Sequence, residues 1–178
     1  MEKTACLIVD VQQALTDALP DQGDELTERL VKLITWCHNQ MVPVLYVRHD
    51  GGEGDELEQG SDGWQIDRRL RPRAEEVIIE KSYCSAFLET DLESWCSEQG
   101  ITQLIVAGMQ TEFCIDATIQ SAFERGYQVL VPQGCCATYD NEYLSAQQME
   151  ELFEQKIWQG RYAQLFSLES LLSQQVKK

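Results

Sequence analysis

The sequence predicts an α/β fold, a mostly parallel sheet covered by helices on both faces. Three observations point there. Short apolar runs alternate with longer segments whose apolar residues recur at helical spacing. Capping residues and glycines stand at the joints between them. The first run, Thr-Ala-Cys-Leu-Ile-Val-Asp-Val over residues 4–11, is continuously apolar until it meets an acid, as a buried parallel strand does. Successive units of this kind cross over right-handedly.

The remaining elements follow in order. Leu26, Leu30, Leu33, Ile34, Cys37 and Met41 share helical spacing and predict a helix over 24–41. Val42–Arg48 reads as the second strand and Val77–Glu80 as a short third. Thr90, with Glu93 three residues on, has the pattern of a capping box. Leu92, Trp95 and Cys96 of that helix face the core, and Gly100 suits its end. Leu104–Ala107 is the fourth strand, followed by Gly108 and a helix from about Phe113 to Arg125, closed by Gly126. Tyr127–Val131 is the fifth strand. Ser145 with Gln148 opens a capped helix to about Trp158. Ala163–Phe166 is a sixth strand, and a last helix starts at Leu168. Between the second and third strands, residues 49–75 hold Gly51, Gly52, Gly54, Gly60, Gly63 and Trp64 among acids. A connection of that length is expected to be a functional lid or a mobile loop.

Composition narrows the function classes. At 178 residues, 43% hydrophobic and 25% charged, the chain fits a single soluble domain over residues 1–178. Thirty acids against 14 bases give a net charge of -16, which argues against nucleic acid or an acidic membrane surface as a partner. Runs such as Leu7–Val9 are too short to span a bilayer, and Met1-Glu2-Lys3 opens no signal-peptide pattern, so a cytoplasmic location is expected. Seven cysteines, an odd number, argue against a disulfide framework. Cys6, Cys37, Cys96 and Cys135 sit in apolar patterns and are expected to be small buried hydrophobes. His38 and His49 are the only histidines, too few for a histidine-based zinc site.

Open α/β sheets bind ligands beyond the carboxyl ends of their strands. Asp10 ends the first strand, Lys81 follows the third, and Cys114 lies just past the fourth at a helix start. An acid, a base and a thiol thus share one sheet edge. A helix N-terminus and a neighbouring ammonium both favour thiolate. Asp10 can pair with Lys81 and carry a proton. Backbone N–H groups of Gly108-Met109-Gln110-Thr111 can face a developing oxyanion. Each residue alone also has an ordinary reading: a cap acid, a surface lysine, a structural cysteine.

These residues resemble the isochorismatase-like cysteine hydrolase superfamily, which includes nicotinamidases and N-carbamoylsarcosine amidohydrolase. The resemblance runs through Leu7-Ile8-Val9-Asp10-Val11-Gln12 and Glu80-Lys81-Ser82-Tyr83-Cys84-Ser85-Ala86-Phe87. Its most specific stretch is Gly108-Met109-Gln110-Thr111-Glu112-Phe113-Cys114-Ile115-Asp116-Ala117-Thr118, leading to Gly126-Tyr127. Ala137-Thr138-Tyr139-Asp140 and Leu144-Ser145-Ala146 also fit. The resemblance implies a three-layer αβα, Rossmann-like fold with a six-stranded, mostly parallel sheet. It implies an Asp–Lys–Cys triad at Asp10, Lys81 and Cys114. It also implies a non-proline cis peptide at Met109-Gln110, aiming the Gln110 and Cys114 N–H groups at the oxyanion. The implied chemistry is acyl transfer through a Cys114 thioester, on a small amide, ureide or carbamoyl compound, by a homo-oligomer.

The sequence departs from the family in places. Nicotinamidases hold a metal through Asp-x-His-x-His, whereas Arg48-His49-Asp50 offers one histidine here, so no metal and no cofactor are expected. Isochorismatases that cleave a vinyl ether lack the cysteine that this chain has. Gln133-Gly134 stands where the family often has an acid after the fifth strand. Gln12, Trp64, Tyr83, Phe87 and Tyr139 are pocket candidates, each also readable as packing, and His49 reads first as a strand-end hydrogen-bonding residue. Three readings compete with the amidohydrolase: a non-catalytic binding or assembly member of the same fold, an isochorismatase-type vinyl ether hydrolase, and a nucleotide-binding domain. The last lacks G-x-G-x-x-G after its first strand.

Overall fold

The structure is a computed structural model that describes residues 3–173. Its core is one parallel sheet in the order β3-β2-β1-β4-β5-β7. The strands are β1 (Thr4–Val9), β2 (Val44–His49), β3 (Val77–Lys81), β4 (Gln103–Met109), β5 (Gln128–Pro132), β6 (Cys136–Ala137) and β7 (Gln164–Phe166). Every pairing is parallel. The sheet has one strand more than expected. β6 is two residues long and pairs with Gly108 and Met109 beyond the end of β5, too short for any periodicity to reveal.

Alternation along the strands builds two cores. Ala5, Leu7, Val9, Leu45, Val47, Leu104 and Val106 point to one face. There they meet Leu92 and Cys96 of α3 (Leu92–Gln99), Ile119 and Ala122 of α4 (Asp116–Glu124), and Trp158. Cys6, Ile8, Tyr46, Ile105 and Ala107 point to the other face. They meet Leu26, Leu30, Leu33, Ile34 and Cys37 of α2 (Pro20–Asn39), and Leu168 of α6 (Leu168–Ser173). The three layers follow from period two in the strands against period 3.6 in the helices. Cys6, Cys37, Cys96 and Cys135 are buried as expected; Cys136 joins them and Cys84 is exposed.

The helices differ from expectation at their ends. α2 starts at Pro20 rather than residue 24, because its first turn adds no apolar stripe. A short helix before it, α1 (Gln13–Asp17), buries only Leu15 and Thr16 and leaves no periodic signal. The capping box at Thr90 and Glu93 does not form. The Thr90 hydroxyl donates to the Ala86 carbonyl at 2.6 Å and accepts from Leu92 N–H at 3.3 Å, and Glu93 accepts from Arg125 Nε at 3.0 Å. The box at Ser145 does form, opening α5 (Ala146–Leu152). Two segments expected as continuous α-helix widen into π-helical turns, Thr111–Ile115 before α4 and Phe153–Trp158 after α5. Among the described residues no helix is long and apolar enough to cross a membrane.

One glycine is required by the sheet itself. Gly108, at φ 133, pairs with Val9, and a Cβ there would stand 2.0 Å from the Val9 carbonyl oxygen. Gly108→Ala is therefore expected to destabilise the fold by about 3 kcal/mol or more. Urea denaturation of the purified variant measures this; a loss under about 0.5 kcal/mol, typical of a neutral surface change, would show that the strands separate freely here.

Candidate active site

Four adjacent strands deliver four side chains to one edge. Lys81 ends β3, His49 ends β2, Asp10 follows β1, and Cys114 lies in the π-helical turn after β4. Parallel pairing brings all the carboxyl ends together, and the register sets His49 directly beside Lys81. Asp10 leaves its strand at φ 52, a left-handed conformation that aspartate tolerates better than most residues. Its N–H still donates to the Val47 carbonyl at 2.9 Å, which keeps it on the edge.

The motif segments are stitched together around these groups. Ala86 N–H donates to Thr118 Oγ1 at 3.0 Å and Ser85 Oγ to Ser121 Oγ at 2.9 Å, tying the chain after Lys81 to α4. Thr138 Oγ1 donates to Glu112 Oε2 at 2.5 Å, tying the end of β6 to the cysteine turn. Trp158 Nε1 donates to Asp116 Oδ1 at 2.9 Å, anchoring the same turn from the other side. The Met109-Gln110 peptide that precedes the turn is cis.

Lys81 Nζ is the hub. It stands 2.6 Å from Asp10 Oδ2, 3.2 Å from Cys114 Sγ and 3.2 Å from His49 Nδ1. Its side chain is fully buried and Asp10 nearly so, while Cys114 and His49 keep partial exposure. Burial pushes the Asp10 carboxyl above its ordinary value, and the charge and hydrogen bond of Lys81 offset this only in part. Burial and then the Asp10 charge push the Cys114 thiol well up, against the opposing pull of Lys81. Desolvation and the nearby carboxylate thus oppose the ammonium, which favours the thiolate. Burial, then Lys81, lowers the pKa of His49.

The family model of the isochorismatase domain matches residues 4–163. The uncharacterized isochorismatase family protein YddQ of Bacillus subtilis is 34% identical over 143 residues, covering 76% of this chain and 78% of that protein. Streptothricin hydrolase of Streptomyces noursei is 30% identical over 139 residues, 76% of this chain but only 55% of its own length. The crystal structure of an isochorismatase from Pseudomonas putida KT2440 superposes with a TM-score of 0.87 at 25% identity, over 94% of this chain and 89% of that one. This chain belongs to the isochorismatase family. It is a hydrolase of that family.

The pocket candidates separate within this isochorismatase fold. Phe87 is buried and stacks on Tyr127 with centroids 5.8 Å apart, so it packs the core rather than a pocket. Gln12 is fully buried, and its amide is spent on the backbone: Nε2 donates to the carbonyls of His49 and Trp64 at 3.0 and 2.9 Å, and Oε1 accepts from His49 N–H at 2.8 Å. Tyr139 spends its hydroxyl on the Leu15 carbonyl at 2.8 Å. Trp64 is buried beneath the Arg48 guanidinium, 3.5 Å from its ring centroid. Tyr83 remains exposed on the segment after β3.

These contacts also describe the long connection. Residues 49–75 are laced to the chain after β1 by Gln13 N–H to Gln65 O at 2.8 Å, Ala14 N–H to Gly63 O at 3.1 Å and Asp67 N–H to Val11 O at 2.9 Å. Asp67 is fully buried and accepts from Thr16 Oγ1 at 2.7 Å and Arg69 Nε at 2.9 Å. The connection is thus tied to the chain after β1 through residues 63–67, while most of residues 51–62 is exposed.

Asp10, His49 and Cys114 bring potential ligand atoms within 4.8 Å of one another. The Lys81 ammonium, however, touches all three, so a divalent ion among them would share its place with a fixed positive charge. The donor set does not fit a metal while Lys81 is in place.

Gln12 is the residue whose role in this frame the sequence left most open. Gln12→Ala would leave the His49 N–H and two carbonyls without partners inside the fold, at an expected cost of about 2–4 kcal/mol. Thermal unfolding monitored by circular dichroism measures it; an unchanged melting temperature would show that the wall stands without Gln12.

Proposed function

We propose that this isochorismatase-family hydrolase cleaves a C–N bond of a small amide, ureide or carbamoyl compound through a Cys114 thioester, without a metal. One observation carries the reading: a buried ammonium stands within 3.2 Å of a partly exposed thiol and 2.6 Å of a sealed carboxylate. A thiol that rests protonated needs a base, and Asp10 is the ionised group beside it. Asp10 takes the Cys114 proton as sulfur attacks the carbonyl carbon. Lys81 stays charged between them and stabilises the thiolate as it forms. The C–N bond then breaks and Asp10 returns the proton to the departing nitrogen. Water attacks the thioester, the C–S bond breaks, and sulfur recovers a proton by way of Asp10. Relatives support the bond class: Nicotinamidase 3 of Arabidopsis thaliana is 25% identical over 163 residues, and an N-carbamoylsarcosine amidase of Arthrobacter sp is 38% identical over 69.

Ammonia release from a panel of small amides and ureides tests the reading. Cys114→Ala is expected to lower turnover on the order of 10³-fold or more, and dialysis against a chelator to leave the wild-type rate unchanged. Full activity in the variant, or loss to the chelator, would sink the proposal.

The raised Asp10 carboxyl sets a pH dependence. Asp10 serves as base only when ionised, so activity rises with pH as this group titrates. The acid limb of kcat/KM is expected to be centred above the ordinary aspartate value of about 3.9. A limb centred at or below that value would place the base elsewhere.

A further inference from the structure

Lys81 has three N–H bonds and three neighbours. Asp10 Oδ2 and Cys114 Sγ take two; the third faces His49 Nδ1 at 3.2 Å. An ammonium paired to a carboxylate at 2.6 Å is a donor only, so His49 Nδ1 is an acceptor and carries no proton. A neutral imidazole then holds its proton on Nε2. The backbone on either side of the ring is clamped as well, since Gln12 binds both the N–H and the carbonyl of His49. Among the described residues nothing accepts from Nε2, and it is not a buried orphan atom, so it opens to solvent. A His49 ring nitrogen lies within 4.8 Å of Cys114 Sγ.

We infer that His49 is a specificity-determining residue whose Nε2–H donates a hydrogen bond to an acceptor oxygen in the acyl part of the substrate, beside the carbonyl that Cys114 attacks. The substrate class narrows to amides or ureides carrying a second oxygen acceptor close to the scissile bond. Purely aliphatic amides leave this donor unpaired, which costs binding. Burial and Lys81 together hold the ring neutral, so the contact selects an acceptor and not specifically an anion. The inference rests on the nucleophile reading of Cys114.

Cysteine alkylation followed by peptide mass spectrometry separates the two. Iodoacetamide carries an oxygen acceptor one carbon from the bond it forms to sulfur; iodoethane carries none. Exposed Cys84 supplies the reference rate for both reagents. His49→Asn keeps an acceptor near the Nδ1 position for Lys81 but does not reach Nε2. His49→Gln reaches Nε2 with an amide N–H but gives up the Lys81 contact. The ratio of iodoacetamide to iodoethane rates at Cys114, normalised to Cys84, is expected to fall about tenfold in His49→Asn, the worth of one hydrogen bond. It is expected to stay within about twofold of wild type in His49→Gln. Should His49→Asn melt early, His49→Ser, which also cannot reach Nε2, takes its place. An unchanged ratio in His49→Asn overturns the inference while leaving the nucleophile in place. An equal fall in both variants overturns it too, because His49 would then act only by positioning Lys81. Wild-type Cys114 reacting no faster than Cys84 overturns the nucleophile reading, and the inference with it, before any His49 substitution is made.

Discussion

A lysine ammonium sealed from water is costly, on the order of several kcal/mol after relaxation, unless its surroundings replace the lost hydration. Lys81 meets that demand with Asp10 at 2.6 Å, and with Cys114 and His49 at 3.2 Å each. Much of the architecture serves these three contacts. β3 must lie in register with β2 for His49 to stand beside Lys81, and β1 must be next in the sheet for Asp10 to be in reach. The turn after β4 must then bring sulfur back over the pair. Removing Asp10 or Lys81 alone would leave an uncompensated buried charge, so the ion pair disciplines the fold as well as the chemistry.

The walls of the site are built from side chains whose polar atoms face the backbone. Gln12, Tyr139 and Asp67 each look, by residue type, as though they belong to a ligand pocket. Each is instead spent on holding residues 49–75 or the segment after β6 against the chain following β1. Ordinary protein–protein hydrogen bonds of this sort each contribute about 1 kcal/mol net, but leaving a buried one unmade costs more. Among the described residues His49 Nε2 on this edge has no protein partner, while the other ring nitrogen is taken by Lys81.

The sheet, its parallel sense and the edge that carries Asp10, Lys81 and Cys114 were legible in the sequence. Apolar runs and strand-end acids report burial and direction, and those depend on local pattern. What depends on pairing was not legible. β6 has two residues, and its existence depends on Gly108 and Met109 lying beside it. The π-helical widening at Thr111–Ile115 changes no spacing that periodicity can detect. The Thr90 box did not form because the helix starts one residue later, with Asp91 at its N-cap, and the Thr90 hydroxyl oxygen accepts from Leu92 N–H instead. The glycines of residues 49–75 signalled freedom, while Asp67 and Trp64, buried in its second half, carry no local mark of burial. The thiolate expectation weighed the helix dipole and Lys81 but not desolvation or the Asp10 charge, which both push the thiol up. The contact of His49 with Lys81 had a signal in hindsight: aligning the ends of the second and third strands sets the two residues side by side.

Charge conservation explains why one ammonium suffices at such a site. With Cys114 as a thiol, Asp10 and Lys81 sum to zero in a dry environment. Moving a proton from sulfur to Asp10 yields a thiolate, a neutral acid and the same ammonium, and the sum is still zero. The negative charge shifts from one neighbour of Lys81 to another while remaining in contact with it, so little solvent has to reorganise. A divalent ion in the same place would leave an excess positive charge at every stage and would tie up sulfur as a ligand. A raised thiol pKa is therefore no obstacle to nucleophilic attack on this reading. In the proposed mechanism it favours a proton on sulfur that Asp10 takes and hands to the leaving nitrogen.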